Sequence, residues 1–205
     1  GLMPASQGLV KQRTKDVLVN NAATAFKASD PMPFEGQTGP TLHVNFFGTV
    51  RLTDRLLPLL RASAAQCRQP RLVNVASMSG RLGQLSPELQ EQFASLTLDR
   101  EKLNSLVNKF AADVGAGRHR EEGWGSSNYG LSKLAVIAYT KIVAREEGAA
   151  MKVNACCPGA CRTDMSSQTG VQTAEVGART VSMCALLGED GPSGAFFRDE
   201  REAPW

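Results

Sequence analysis

Met151-Lys152-Val153-Asn154-Ala155-Cys156-Cys157-Pro158-Gly159 is a short apolar run that stops on a turn pair. Two other runs are built the same way. Val17-Leu18-Val19 stops on Asn20-Asn21, and Leu72-Val73-Asn74-Val75 stops on Ala76-Ser77. Continuous apolar runs closed by turn residues are the mark of strands buried on both faces, as in parallel sheets. Ala195-Phe196-Phe197 is a fourth candidate strand. Between the runs the apolar period changes. Leu42, Phe46, Val50, Leu56, Leu57 and Leu60 share a helix face over about 38–65, and Leu131, Leu134, Ala135, Ala138, Ile142 and Val143 do so over about 126–147. A last helix is predicted from Thr173 to Leu187. Strand–helix alternation of this kind predicts an α/β parallel sheet with right-handed crossovers.

Residues 84–124 break the rhythm. Ser86-Pro87-Glu88 starts one helix, with Pro at its first position, and Asp99-Arg100-Glu101-Lys102 opens another that carries Leu103, Leu106, Val107 and Phe110. This is a two-helix insertion. With no repeat, low-complexity tract or linker, residues 1–205 read as one domain. Residues 1–16 read as a helix end or loop leading straight into Val17. None of the 19 glycines forms a strand–Gly-rich turn–helix unit, which brings backbone N–H groups to a dinucleotide pyrophosphate. The expectation is a sheet whose N-terminal βαβ portion is missing.

Composition narrows the function classes. The net charge is +3, and the densest charged stretch, Arg118-His119-Arg120-Glu121-Glu122, mixes signs, which argues against nucleic acid. No apolar run reaches the roughly 18 residues of a membrane span, and no basic-then-apolar leader opens the chain. Five cysteines without a regular framework fit a reducing compartment, so a cytoplasmic location is expected. Cys156 and Cys157 would point to opposite faces of a strand, which argues against a metal site with Cys161. Of the two histidines, His43 reads as a satisfied, at least half-buried helix residue, so His-based nucleophilic chemistry is a weak candidate.

Tyr129 and Lys133 lie four apart in the predicted helix and so project from one face. Alone they are most simply an exposed aromatic–cation pair. They do not stand alone. Asn20-Asn21-Ala22 closes a strand, Asn45 sits in Asn45-Phe46-Phe47-Gly48-Thr49, and Ser77 closes the next strand. After the strand that follows come Pro158-Gly159 and Thr163-Asp164-Met165. In order, spacing and element type the set resembles the short-chain dehydrogenase/reductase family. Val44 to Thr49, Ser86-Pro87-Glu88-Leu89-Gln90, Glu122-Gly123-Trp124 and Asn154 to Gly159 are similar to its carbonyl reductase branch, as is the insertion before Tyr129.

The resemblance implies a Rossmann-like, doubly wound parallel sheet, NADPH as cofactor and a small carbonyl compound (quinone, aldehyde or ketone) as substrate. It implies Tyr129 as proton donor, with Lys133 lowering its pKa and holding the nicotinamide ribose. Ser77 would donate a hydrogen bond to the substrate oxygen, and Asn45 would hold a water that relays protons to Lys133. Asn21 would lie near the adenine-side ribose; Pro158, Gly159, Cys161 and Thr163 would line the nicotinamide. The positions that choose NAD or NADP are not found. Two departures stand out: Ala23 replaces the family's usual Gly, and Ala160 stands where the branch often has Trp, which would open the substrate pocket. Phe26-Lys27-Ala28 resembles a glutathione-contacting stretch, a plain loop being the other reading. The insertion implies a monomer. The competing reading is a truncated, non-catalytic relative that binds a partner.

Overall fold

A computed structural model describes residues 16–205 apart from 28 and 67. The expectation for residues 1–15, Ala28 of the glutathione-like stretch and Cys67 therefore lie outside the described residues.

The three runs are strands: β1 (Val17–Asn20), β2 (Arg71–Val75) and β3 (Lys152–Cys157). They pair in parallel, with Leu18 opposite Leu72 and Leu72 opposite Val153. The fourth, β4 (Phe196–Arg198), adds in parallel beside β3, and the unforeseen β5 (Arg201–Glu202) folds back on it antiparallel. Asp199 and Glu200 make that reversal with φ near +50° and +59°, as a tight hairpin requires.

Alternate strand residues feed two layers. Leu72, Val153, Ala155 and Cys157 join the main core under the helices of one face. Val73, Val75, Cys156 and Phe197 pack with Cys184 of α6 (Ala174–Ala185) on the other. Cys156 and Cys157 thus face opposite ways, as the period of two demands. The result is the expected doubly wound sheet.

The first helical pattern becomes α1 (Phe34–Leu42), a five-residue π-turn over His43–Phe47, and α2 (Gly48–Ala64). His43 does not meet its expectation. It is exposed, with Nε2 3.0 Å from Arg51 Nη2, because the π-turn rotates it off the buried face. The helix α5 (Asn128–Glu147) is capped by Ser127 Oγ, which accepts from Gly130 N at 2.8 Å. Nearly every residue from Gly130 to Ala144 is buried, so α5 is the central core helix. The insertion forms α3 (Pro87–Ala94), capped by Ser86, and α4 (Arg100–Gly115), capped by Asp99. Leu103, Leu106, Val107 and Phe110 turn inward, and α4 packs on α1 and α5.

A buried polar chain ties the layers. Asn20 Nδ2 donates to Thr53 Oγ1 and Asn74 Oδ1 at 2.9 and 2.8 Å, and Asn74 Nδ2 donates to Thr140 Oγ1 at 2.9 Å. Buried amides need such partners, and these fix how β1, β2, α2 and α5 meet.

Candidate active site

Parallel strands bring their carboxyl ends to one edge of the sheet, where such folds hold ligands. Asn21 follows β1 there, Ser77 follows β2 and Pro158 follows β3. Ser77 Oγ accepts from Ser79 N at 3.1 Å and starts a short 3₁₀ turn, Met78–Gly80, that lies flush on α5. The approach is too close for a side chain. A Cβ at Gly80 would sit 2.7 Å from Leu134 N and Lys133 C, and one at Gly130 would sit 2.6 Å from Gln84 Oε1 and 2.9 Å from Ser79 O. These two glycines let the Ser77 turn reach the helix carrying Tyr129 and Lys133.

Lys133 is buried, and its Nζ donates to Val75 O at 2.8 Å and lies 5.6 Å from the Tyr129 ring centroid. Burial pushes its pKa down to about 8, against the pull of the neighbouring Cys156 and Cys157. Its two remaining N–H donors have no protein partner among the described residues. Tyr129 is half-buried. Its pKa moves up, chiefly through burial, while the Ser77 hydroxyl pulls it down and Cys157 adds to the rise. The Lys133 ammonium is engaged by the Val75 carbonyl and stands over the Tyr129 ring.

Asn45 lies in the π-turn, where Gly48 N reaches back to His43 O. Its Nδ2 donates to Thr24 O and Ser132 Oγ, both at 2.9 Å, and its Oδ1 accepts from Thr24 N at 2.7 Å. Both amide hydrogens are spent. The side chain clamps the loop after β1 to the residue before Lys133, so the expected water-holding role is not one its amide N–H groups can take.

The loop after β3 closes on itself. Gly159 has φ +78°, and a Cβ there would meet Gln172 Nε2 at 2.6 Å. Arg162 N donates to Gln172 O at 2.8 Å, and Thr163 N donates to Ser166 Oγ at 3.1 Å. Cys161 Sγ donates to Pro158 O at 3.4 Å, within the same loop. A Cβ on Gly177 of α6 would strike that sulfur at 2.2 Å, so the missing side chain there lets Cys161 pack against α6. Ala160 is exposed, Thr163 half-buried, Asn21 and Lys27 exposed, and Phe26 half-buried on the loop that Thr24 anchors.

Ser77, Tyr129 and Lys133 therefore meet, and Asn45 joins them through Ser132. Thr24, Ser132, Gly80, Gly130 and the Val75 carbonyl hold this arrangement together, and pattern reading missed them. Ser132 alone carried a signal, as the residue before Lys133. A backbone carbonyl carries none.

A protein-family model described as short chain dehydrogenase matches residues 113–174. Carbonyl reductase (NADPH) 1 of Homo sapiens is 45% identical over 199 residues, covering 93% of this chain and 70% of the relative. Its counterpart in Macaca fascicularis is 44% identical over the same shares. Among solved structures, salutaridine reductase from Papaver somniferum superposes with a TM-score of 0.79 at 29% identity, covering 90% of this chain and 72% of that one.

Proposed function

This chain belongs to the short-chain dehydrogenase/reductase family, and from that premise we propose that it reduces carbonyl compounds to alcohols with NADPH, Tyr129 giving the proton. The observation that carries the reading is the meeting of Ser77, the Tyr129 phenol and a buried Lys133 at the carboxyl edge of the sheet. NADPH, when bound, supplies the hydride to the carbonyl carbon. Ser77 donates a hydrogen bond to the carbonyl oxygen, steadying charge as it develops. Tyr129, held protonated by its burial, gives its proton to that oxygen. Lys133, with a pKa near 8 and donors to spare, returns a proton toward Tyr129 and offers hydrogen bonds to ribose hydroxyls. That unspent, desolvated ammonium is the feature that fits the nicotinamide half of the cofactor. Pro158, Gly159 and Thr163 border the same edge, with Asn21 toward the adenine side.

Quinones, aldehydes and ketones are the proposed substrate classes, the exposed Ala160 leaving the entrance wide. Glutathione or its conjugates would lie by Phe26 and Lys27, on likeness alone. A monomeric state is supported by α4, whose apolar stripe covers α1 and α5. A cytoplasmic location is supported by free thiols at Cys156, Cys157, Cys161 and Cys184. No helix among the described residues is long and apolar enough to cross a membrane.

The test is a titration of the folded chain with NADPH, followed by addition of a quinone. Saturable binding and NADPH oxidation are expected. A folded chain that binds no NADPH would overturn the reading in favour of a non-catalytic relative.

A further inference from the structure

A pocket of about 410 Å³ opens away from the Tyr129 end of α5. The insertion contributes Phe93, Leu96 and Leu98 to its wall, the last turns of α5 contribute Lys141 and Arg145, and Trp205 closes one side. The two cations are four residues apart, so they share a helix face. Neither has a carboxylate within ion-pair distance among the described residues. The acids that follow them on α5 are taken: Glu146 pairs with Arg100 and Glu147 with Arg61. Lys141 Nζ donates to Gly194 O at 3.1 Å and stands 5.4 Å from the Trp205 ring centroid. Arg145 Nη2 donates to Leu98 O. Both side chains keep donors to spare.

We propose that this pocket binds an amphipathic carboxylate, its apolar body against Phe93, Leu98 and Trp205 and its carboxylate between Lys141 and Arg145. Two unneutralised cations beside an apolar wall favour an anion with an apolar tail over a neutral lipid or a bare anion. Burial pushes the Lys141 pKa down, Glu202 pulls it up, and the Arg145 charge pushes it down again. Trp205 also links the pocket to the other site, because its Nε1 donates to Gly80 O at 2.9 Å, at the end of the Ser77 turn. The proposal does not depend on the reductase reading, since it concerns binding alone.

Calorimetric titration of the whole chain with octanoate, with 1-octanol as the uncharged probe, tests it. Octanoate is expected to bind saturably, and 1-octanol at least about tenfold more weakly, one charge-assisted contact being worth that much. Lys141→Gln and Arg145→Gln, both at partly or fully exposed positions, should each weaken octanoate about fivefold or more and leave 1-octanol unchanged. Equal affinity for acid and alcohol, no octanoate binding, or octanoate displaced by NADPH would each overturn the proposal. The wild-type comparison decides even if a variant fails to fold.

Discussion

Lys133 places an ammonium in the core with one hydrogen-bond partner, the Val75 carbonyl, so its burial works against the fold. Its folded pKa of about 8 lies below its ordinary 10.5, so between those values the unfolded chain holds more protons and stability rises with pH. Below about pH 8 the burden is complete. Lys133→Met should therefore leave the thermal midpoint at pH 7 unchanged or raised, while NADPH affinity and turnover fall at least about tenfold. A lowered midpoint with unchanged NADPH affinity would make Lys133 a structural residue. If Lys133 holds the cofactor as proposed, the same titration limits catalysis in the wild type. The ratio kcat/KM for NADPH should decline as pH rises through about 8, where Lys133 loses its charge. Tyr129→Phe should retain NADPH binding and lower turnover by about a hundredfold or more, since only the proton donor is removed. A rate close to wild type in that variant would show the proton comes from elsewhere.

At the scale of elements, the site depends on how tightly the Met78–Gly80 turn lies on α5. Gly80→Ala would place a methyl group 2.7 Å from two backbone atoms of that helix, and neither can move without shifting Lys133 or Leu134. The expected cost is about 1–3 kcal/mol, read as a lower urea midpoint, with turnover falling further than NADPH affinity as Ser77 is pushed from Tyr129. Equal stability and rate would mean the turn adjusts freely. Strands, caps and insertion were legible because each has a local cause: a run of branched residues before a polar stop, Ser86 before Pro87, Asp99 ahead of its helix. The π-turn was not. Leu42, Phe46 and Val50 recur every four residues, a spacing that an α-helix and a helix with one widened turn both satisfy. Nor was the rise in the Tyr129 pKa, because it depends on burial by residues distant in sequence. Spacing shows that Lys133 is near, not whether charge or desolvation wins. The packing of Cys161 against α6 has the same origin, in Gly177 of a helix formed later in the chain.

For the whole molecule, the insertion decides whether the α1–α5 face is covered, and one carboxylate holds much of the insertion together. Asp113 on α4 is fully buried yet ionised. Lys109 Nζ and Trp124 Nε1 donate to its Oδ2 at 2.6 and 2.8 Å, and Arg118 Nε donates to Oδ1 at 3.0 Å. These donors outweigh the burial that would raise its pKa, holding it down at about 2. A folded pKa below the ordinary 3.8 means that the stabilisation is full above about pH 4 and is lost as pH falls toward 2. Phe93 and Phe110 meet the Trp124 ring edge-on at 6.3 and 5.5 Å, so loosening Asp113 loosens the packing between the insertion and the segment leading into α5. Asp113→Ala leaves Trp124 Nε1 buried without an acceptor, which should cost about 1–3 kcal/mol at pH 7. It should also remove the acid step from the Trp124 fluorescence titration and, by freeing the Leu103, Leu106 and Phe110 stripe, promote self-association in sedimentation. A variant with unchanged sedimentation, as stable as wild type and with the acid step intact, would show that the insertion is held by its apolar stripe alone.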